Sequence, residues 1–479
     1  SQGTDPIAGL AAPDVLSQIP FQLRWIATLV DKSQDYERVR RQIFDVGGCA
    51  APVWLRGRSL TFALETGVVV KEFSSNRTPF EAIPIRCMNR RASRCPSCSR
   101  LYRGDAFQLA RAGMIGGKGV PESVSDHPMV FATVTAPSFG PVHRAANPDD
   151  AKDRCRVRHG FPRCPHGRVL SCAKRHAAGD PVLGQPLCAD CYDYVGQVLF
   201  NAHVSALWGN LIDTVYHRLA LHSGEKRARV RQLVRVEYFK IAEYQGRGVV
   251  HFHAVLRLDG PADLEPPPAW ASAEVLAEAF VSAAAVASVS APSSAAVGDR
   301  VVRFGAQVDA QPIVTGGGDD ALSDAKASGY LSKYVTKGTE DAGGVDRRVT
   351  RETQINPAAK SPHVRALMHT CWRLGALPEF EHLHLREWSH MLGYGGHNAS
   401  KSRRYSTTFT ALRGARVAHY QGAETEVPGG VAVDSEWWFV NQGYGSPSLR
   451  AFAEQTYEDL EFSREAAREA LNEERHRAA

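Results

Sequence analysis

Val234–Leu258 reads VRVEYFKIAEYQGRGVVHFHAVLRL, two strand-prone runs separated by Gly246-Arg247-Gly248. A three-residue loop with a glycine in the left-handed region is an established hairpin connection. With that loop, position 245 pairs with 249, 243 with 251 and 241 with 253. Side chains alternate across a strand, so His251 and His253 project from one face. Glu243 falls on the same face, directly across from His251. Two neutral imidazoles and a carboxylate can hold a divalent cation and leave coordination positions open for a substrate. The same register sets Glu237 opposite Arg257, an ordinary cross-strand ion pair, so Glu237 is not read as a ligand.

The 479 residues allow two to four domains and at least one large core. The apolar and charged fractions, 43% and 23%, are those of an ordinary globular chain. A net charge of +6 permits nucleic-acid binding without requiring it. No apolar run reaches the roughly 18–20 residues of a membrane span. SQGTDPIAGLAAPDVL at the N-terminus lacks a charged segment followed by a long apolar one, so no secretory leader is expected and the reading is cytoplasmic, with no membrane partner.

Nine of the ten cysteines fall in the first 191 residues, which points to a local metal-binding segment rather than a disulfide framework. Residues 86–108 bring Cys87, Cys95 and Cys98 together with six arginines, among them Arg90, Arg91 and Arg94. Cys95-x-x-Cys98 is a zinc-knuckle spacing whose fourth ligand is not local, and the arginines suit a phosphate-contacting surface. Farther on, Cys164, Cys172, Cys188 and Cys191 make a zinc-ribbon-like set. Cys155 is available to complete the first site, and His159, His166 and His176 lie among these thiols as possible substitutes. One or two structural Zn2+ ions are expected, with the pairing open.

Met129–Ala136 alternates as a strand whose threonines can line a site, and Tyr192–Leu221 carries a helical apolar face. After a linker at 259–268, Ala269–Val289 is helix-prone and Val301–Val314 alternates as a strand. The loop TGGGDD leads into a helix over Ala321–Lys337, with Asp319 or Asp320 as its cap. Tyr330, Tyr334 and Lys337 share one stripe of that helix, and Lys333 stands beside it. Lys401–Arg416, with Arg403 and Arg404 and with Tyr405 and Phe409 interleaved, has the pattern of a nucleic-acid surface. His382-Leu383-His384 repeats the histidine spacing without a facing acid and is read as incidental.

Combined, these pieces describe phosphoryl transfer. A cation held by His251, His253 and Glu243 polarises a phosphate oxygen. A tyrosine phenolate, favoured by a lysine one turn away, attacks the phosphorus. The products are a 5′-phosphotyrosine and a free 3′-OH, so the strand can be rejoined, and a second tyrosine permits a second transfer.

EYQGRGVVHFHAV together with GYLSKYVTK resembles the HUH endonucleases, and within them the rolling-circle replication initiators. FATVTAP is similar to their first motif, His251-Phe252-His253 to the His-hydrophobic-His motif, and Tyr334-x-x-Lys337 to the tyrosine motif. The Cys-rich front resembles initiators of actinobacterial plasmids and integrative elements. The resemblance implies an α+β catalytic domain, RRM-like, with a central antiparallel sheet and flanking helices. It also implies a catalytic Mg2+ or Mn2+, nicking of origin DNA, and host helicase and polymerase as partners; Tyr334 is the preferred nucleophile because Lys337 follows it, while Tyr330 has Lys333 at the same spacing. The chain is divided accordingly into an N-terminal region (1–85), a Cys-rich zinc segment interleaved with the first catalytic strand (86–192), the catalytic core (193–340) and a helical, DNA-binding C-terminal region (341–479). A two-tyrosine transposase is the neighbouring alternative. A non-catalytic zinc-ribbon DNA-binding regulator is the alternative from another class.

Overall fold

The computed structural model describes residues 33–314, 322–337, 344–421 and 430–478. The N-terminal stretch read for a leader, and the TGGGDD loop with its two candidate caps, lie outside the described residues. The chain divides into two units. One comprises the residues up to Arg103 and from Arg413 onward, the other Gly104–Leu412.

In the first unit, β1 (Val53–Ala63) pairs antiparallel with β2 (Val69–Ser74) and with β3 (Ile83–Ile85). In the second, β4 (Met129–Val134), β5 (Arg235–Tyr244), β6 (Val250–Asp259), β9 (Val308–Pro312) and β10 (Ala399–Lys401) form an antiparallel sheet in the order β10-β5-β6-β4-β9. A two-stranded ribbon, β7 (Ser288–Ser290) with β8 (Val301–Arg303), stands apart from it. β11 (Val431–Gln442) returns to the first unit and pairs with β1 along its whole length.

The architecture is thus mixed α+β with antiparallel sheets. The C-terminal region is not wholly helical. Backbone pairing draws β11 to β1 and β10 to β5, and the chain divides at 103/104 and 412/413. The strand expected over 301–314 also breaks in two. At Gly305 the backbone approaches so closely that a Cβ would lie 2.6 Å from the Ala136 carbonyl oxygen.

The alternation of the central strands separates two faces. Phe252, Ala254, Leu256 and Leu258 of β6 are buried on the face covered by the Tyr194–Ser223 helix, where the Trp208 ring meets Phe252 at 5.5 Å. Asp193 caps this helix through the Gly196 N–H, and Gly224 ends it at φ +70°. The opposite face carries His251, His253, Val255, Arg257 and Asp259. Against it lie Tyr405, whose ring stacks on Phe239, and the tyrosine helix, which spans Asp324–Tyr334 and is capped by Ser323.

The hairpin has the register read from its loop: Glu243 faces His251, Ile241 faces His253 and Glu237 faces Arg257. Gly248 supplies the left-handed residue at φ +76°, and its N–H donates to the Gln245 carbonyl. The expected Glu237–Arg257 ion pair does not form. Arg257 instead grips Asp259, two residues along the same face, through Nε–Oδ1 at 2.6 Å and Nη2–Oδ2 at 2.8 Å. This two-pronged bond is the stronger geometry. His127 completes the group at 2.7 Å from Asp259. Glu237 keeps one buried oxygen without a hydrogen bond, and burial pushes its carboxyl above the ordinary value.

Asn201 ties the helix to the loop. Its amide donates to the carbonyls of Gly248 (3.0 Å) and Leu392 (2.9 Å), and its oxygen accepts the Val250 N–H (3.0 Å). Asn201→Leu keeps similar bulk but strands three buried backbone groups. At about 1–3 kcal/mol each, the variant should lose about 3 kcal/mol or more and unfold several degrees lower in a calorimetric scan.

Candidate metal centre and tyrosine pair

His251 and His253 both aim Nε2 at one oxygen of Glu243, at 2.8 and 3.1 Å. Their Nε2-facing geometry, with Glu243, puts three ligand atoms within 4.8 Å of one another. All three side chains are largely withdrawn from solvent. Burial pushes the Glu243 carboxyl up, but hydrogen bonds from His251, His253 and Lys337 outweigh it, and the net value lies well below the usual carboxylate range. His253 is pushed down by burial, which favours the neutral imidazole that a cation needs. Thr133, opposite His253 on β4, places Oγ1 2.9 Å from His253 Nδ1. A hydroxyl there can accept Nδ1–H and leave the Nε2 lone pair for a metal. His251 Nδ1 is buried with no hydrogen-bond partner. The two Nε2 atoms thus converge on a single carboxylate oxygen. Two nitrogens and a carboxylate suit a divalent cation that keeps further positions open.

The tyrosine helix delivers its stripe to this point. The Tyr330 ring lies 4.9 Å from the His253 ring, the Tyr334 ring 5.3 Å from it, and the two phenols are 4.6 Å apart, centroid to centroid. Phe131 backs Tyr330 at 5.4 Å. Arg111 bonds Asp324 in the first turn and steadies the helix. Lys337 donates to Glu243 Oε1 at 2.8 Å, and its ammonium lies 4.2 Å from the Tyr334 ring centroid. Lys333 lies 5.6 Å from that centroid. Neither geometry lowers the Tyr330 phenol. Burial, the hydrogen bond with Tyr334 and the charges of Tyr334 and Glu243 push it above its ordinary value.

Among the described residues, nine of the ten cysteines sort into three groups rather than the two read from spacing. Cys87, Cys95 and Cys98 are joined by Cys49, not by Cys155. Cys155 and Cys172 meet His143 and His176, while Cys164, Cys188 and Cys191 meet His166. The four-thiol set 164/172/188/191 is therefore split. Cys172 hydrogen-bonds across to Arg156 beside Cys155, and that bridge carries it away from Cys164. Cys49 and His143 carried no local signal. Each lies eleven or more residues from its nearest fellow ligand, and folding alone brings them in. His159 joins none of the three groups.

Of the residues read as DNA contacts, Arg90 and Arg91 are half-buried and Arg94 is exposed. Arg403 and Arg404 are exposed, and Arg404 pairs with Asp263 at 2.6 Å. Tyr405 is fully buried, with its hydroxyl on the Ala110 carbonyl, so it cannot stack on a base. The His382-Leu383-His384 tripeptide lies at the end of a 3-10 turn, not on a strand.

Thr133→Val removes the group that orients His253. Mn2+ affinity, followed by electron paramagnetic resonance, should fall by roughly tenfold or more, while the far-UV spectrum stays unchanged.

The chain matches the family described as replication initiator protein, pSAM2, over residues 35–458. A replication initiator protein from Streptomyces ambofaciens is 38% identical over 457 residues, which cover 93% of this chain and 95% of that protein. No solved structure matches. Agreement over nearly the full length of both chains places this protein in the family of pSAM2-type replication initiators.

Proposed function

We propose that the protein starts rolling-circle replication by nicking and rejoining single-stranded origin DNA through a 5′-phosphotyrosine, as an HUH endonuclease with the RRM-like catalytic sheet of that class. The observation that supports this reading is the convergence of His251, His253 and Glu243 with two phenols stacked against His253. The family's replication role favours initiation over transposition. Membership also argues against a regulator that only binds DNA.

In this reading His251, His253 and Glu243 hold Mg2+ or Mn2+, which supplies positive charge to a phosphate oxygen. Thr133 fixes the His253 ring, and Lys337 restrains the carboxylate and adds positive charge beside Tyr334. The Tyr334 oxygen loses its proton and bonds to phosphorus. The bond from phosphorus to the 3′ oxygen breaks, and that oxygen gains a proton. Tyr330 stands ready for a second transfer, its ring 4.6 Å from that of Tyr334. Tyr334 goes first in this reading because the ammonium groups of Lys337 and Lys333 lie 4.2 and 5.6 Å from its ring centroid. Arg90, Arg91, Arg94, Arg403 and Arg404 are proposed phosphate contacts, and host helicase and polymerase the proteins that follow the nick.

A labelled oligonucleotide carrying the cognate origin, incubated with Mn2+, should give a covalent adduct that survives denaturation. Tyr334→Phe should cut the initial adduct rate by 100-fold or more on the order expected for loss of a nucleophile. The double variant with Tyr330→Phe should abolish the adduct. Full adduct in the double variant would remove the tyrosine assignment, and normal cleavage by His251→Ala would remove the clamp.

A further inference from the structure

Residues 137–193, between β4 and the Tyr194–Ser223 helix, contain no helix or ladder strand, only isolated bridges. The buried residues of this stretch are Cys155, Cys164, His176, Gly184, Cys188 and Tyr192. None is aliphatic, while Val157 and Phe161 lie exposed. A segment of this size without an apolar core needs another source of order, and metal ligation is the usual one.

The spacing of the sulfur and nitrogen atoms suits tetrahedral zinc. Tetrahedral zinc, with Zn–S of about 2.3 Å and Zn–N of about 2.05 Å, places two sulfurs about 3.8 Å apart and a sulfur and a nitrogen about 3.6 Å apart. Cys155 Sγ lies 3.6 Å from His143 Nδ1, and Cys172 Sγ lies 3.5 Å from His176 Nε2. Around His166 Nδ1 the sulfurs of Cys191, Cys188 and Cys164 stand at 3.2, 3.8 and 4.0 Å. Cys49 Sγ is 3.8 Å from Cys95 Sγ and 3.6 Å from Cys98 Sγ, far beyond a disulfide bond.

Neighbouring groups are arranged as metal ligands require. His176 Nδ1 lies 2.7 Å from Asp180, so its other nitrogen is free to face Cys172. Backbone N–H groups of Ala50, Cys87 and Arg144 donate to the sulfurs of Cys95, Cys49 and Cys155, as bonds around metal-bound sulfur do.

We infer that the chain holds three structural zinc ions: one in Cys49/Cys87/Cys95/Cys98, one in His143/Cys155/Cys172/His176 and one in Cys164/His166/Cys188/Cys191. The last two make residues 137–193 a two-zinc module. This assignment does not depend on the nicking chemistry. The module braces the hairpin that carries Glu243 and His251. A Cβ on Gly184 would lie 2.1 Å from the Gly246 carbonyl oxygen, and Arg247 donates to the carbonyls of Ala136 and Pro137.

The full chain, purified without added metal, should contain three zinc ions by inductively coupled plasma mass spectrometry. Its zinc X-ray absorption fine structure should show a mean shell of three sulfurs to one nitrogen, since the three groups draw on nine cysteines and three histidines. Cys49→Ser should lower the zinc content by one. Two zinc ions or fewer, or an all-sulfur shell, would overturn the assignment, because joining Cys155 to Cys87/Cys95/Cys98 and Cys172 to Cys164/Cys188/Cys191 gives only sulfur. A Cys49→Ser chain that keeps all three ions would overturn the first site. Stoichiometry and absorption on the unaltered protein decide the matter even where that variant does not fold.

Discussion

The site rests on the register of one hairpin. Glu243 faces His251 because Gly246-Arg247-Gly248 closes the turn with Gly248 at φ +76°. A slip of one residue would turn both histidines toward the Tyr194–Ser223 helix and bring Phe252 to the opposite face. The register is held from several sides. Asn201 takes up the backbone groups of Gly248 and Val250, while Gln197 and His363 both bond the Arg247 carbonyl. Gly184 closes over Gly246 from the cysteine-rich segment. A loop that could have been a mobile surface turn is bonded on all these sides. That rigidity suits ligands that must hold still around a cation.

The parts of the fold that sequence made legible are those with short-range causes. Strand alternation and a glycine-bounded loop give the β5–β6 pairing directly, and a 3.6-residue period gives the Tyr194–Ser223 helix and the tyrosine stripe. What stayed hidden depends on distant partners. Cys49 lies 38 residues before Cys87, and His143 lies 12 before Cys155, so no spacing rule flags either. The thiol set drawn from Cys164-x7-Cys172 was plausible in the sequence, but a bridge between Arg156 and Cys172 redirects the second cysteine. Arg257 sits across from Glu237 as expected, yet a nearer acid on its own strand takes the guanidinium. Register is a backbone property, whereas ion pairing is settled by side-chain geometry and burial.

Tyr405 and β11 illustrate the same limit. An aromatic between arginines reads as a base-stacking residue, but Tyr405 packs on Phe239 beneath the sheet, with its hydroxyl satisfied by Ala110. VAVDSEWWFVNQ sits near the C-terminus and pairs with a strand almost 380 residues earlier, a contact that local pattern does not encode. The surroundings of the two tyrosines are likewise a tertiary matter. Both tyrosines precede a lysine by three residues, and folding sets their surroundings apart by placing the ammonium of Lys337 beside Tyr334 and Glu243 while Tyr330 stays exposed.

The most direct test of the account is to find the covalent bond. Trypsin cuts after Lys326, Lys333 and Lys337, so ASGYLSK carries Tyr330 and YVTK carries Tyr334 on separate peptides. Digestion of the adduct trapped on an origin oligonucleotide, followed by tandem mass spectrometry, should place the nucleotide on YVTK at early times and on ASGYLSK only after a second transfer. A nucleotide on any other peptide, or no adduct with Mn2+ and the cognate strand, would contradict it.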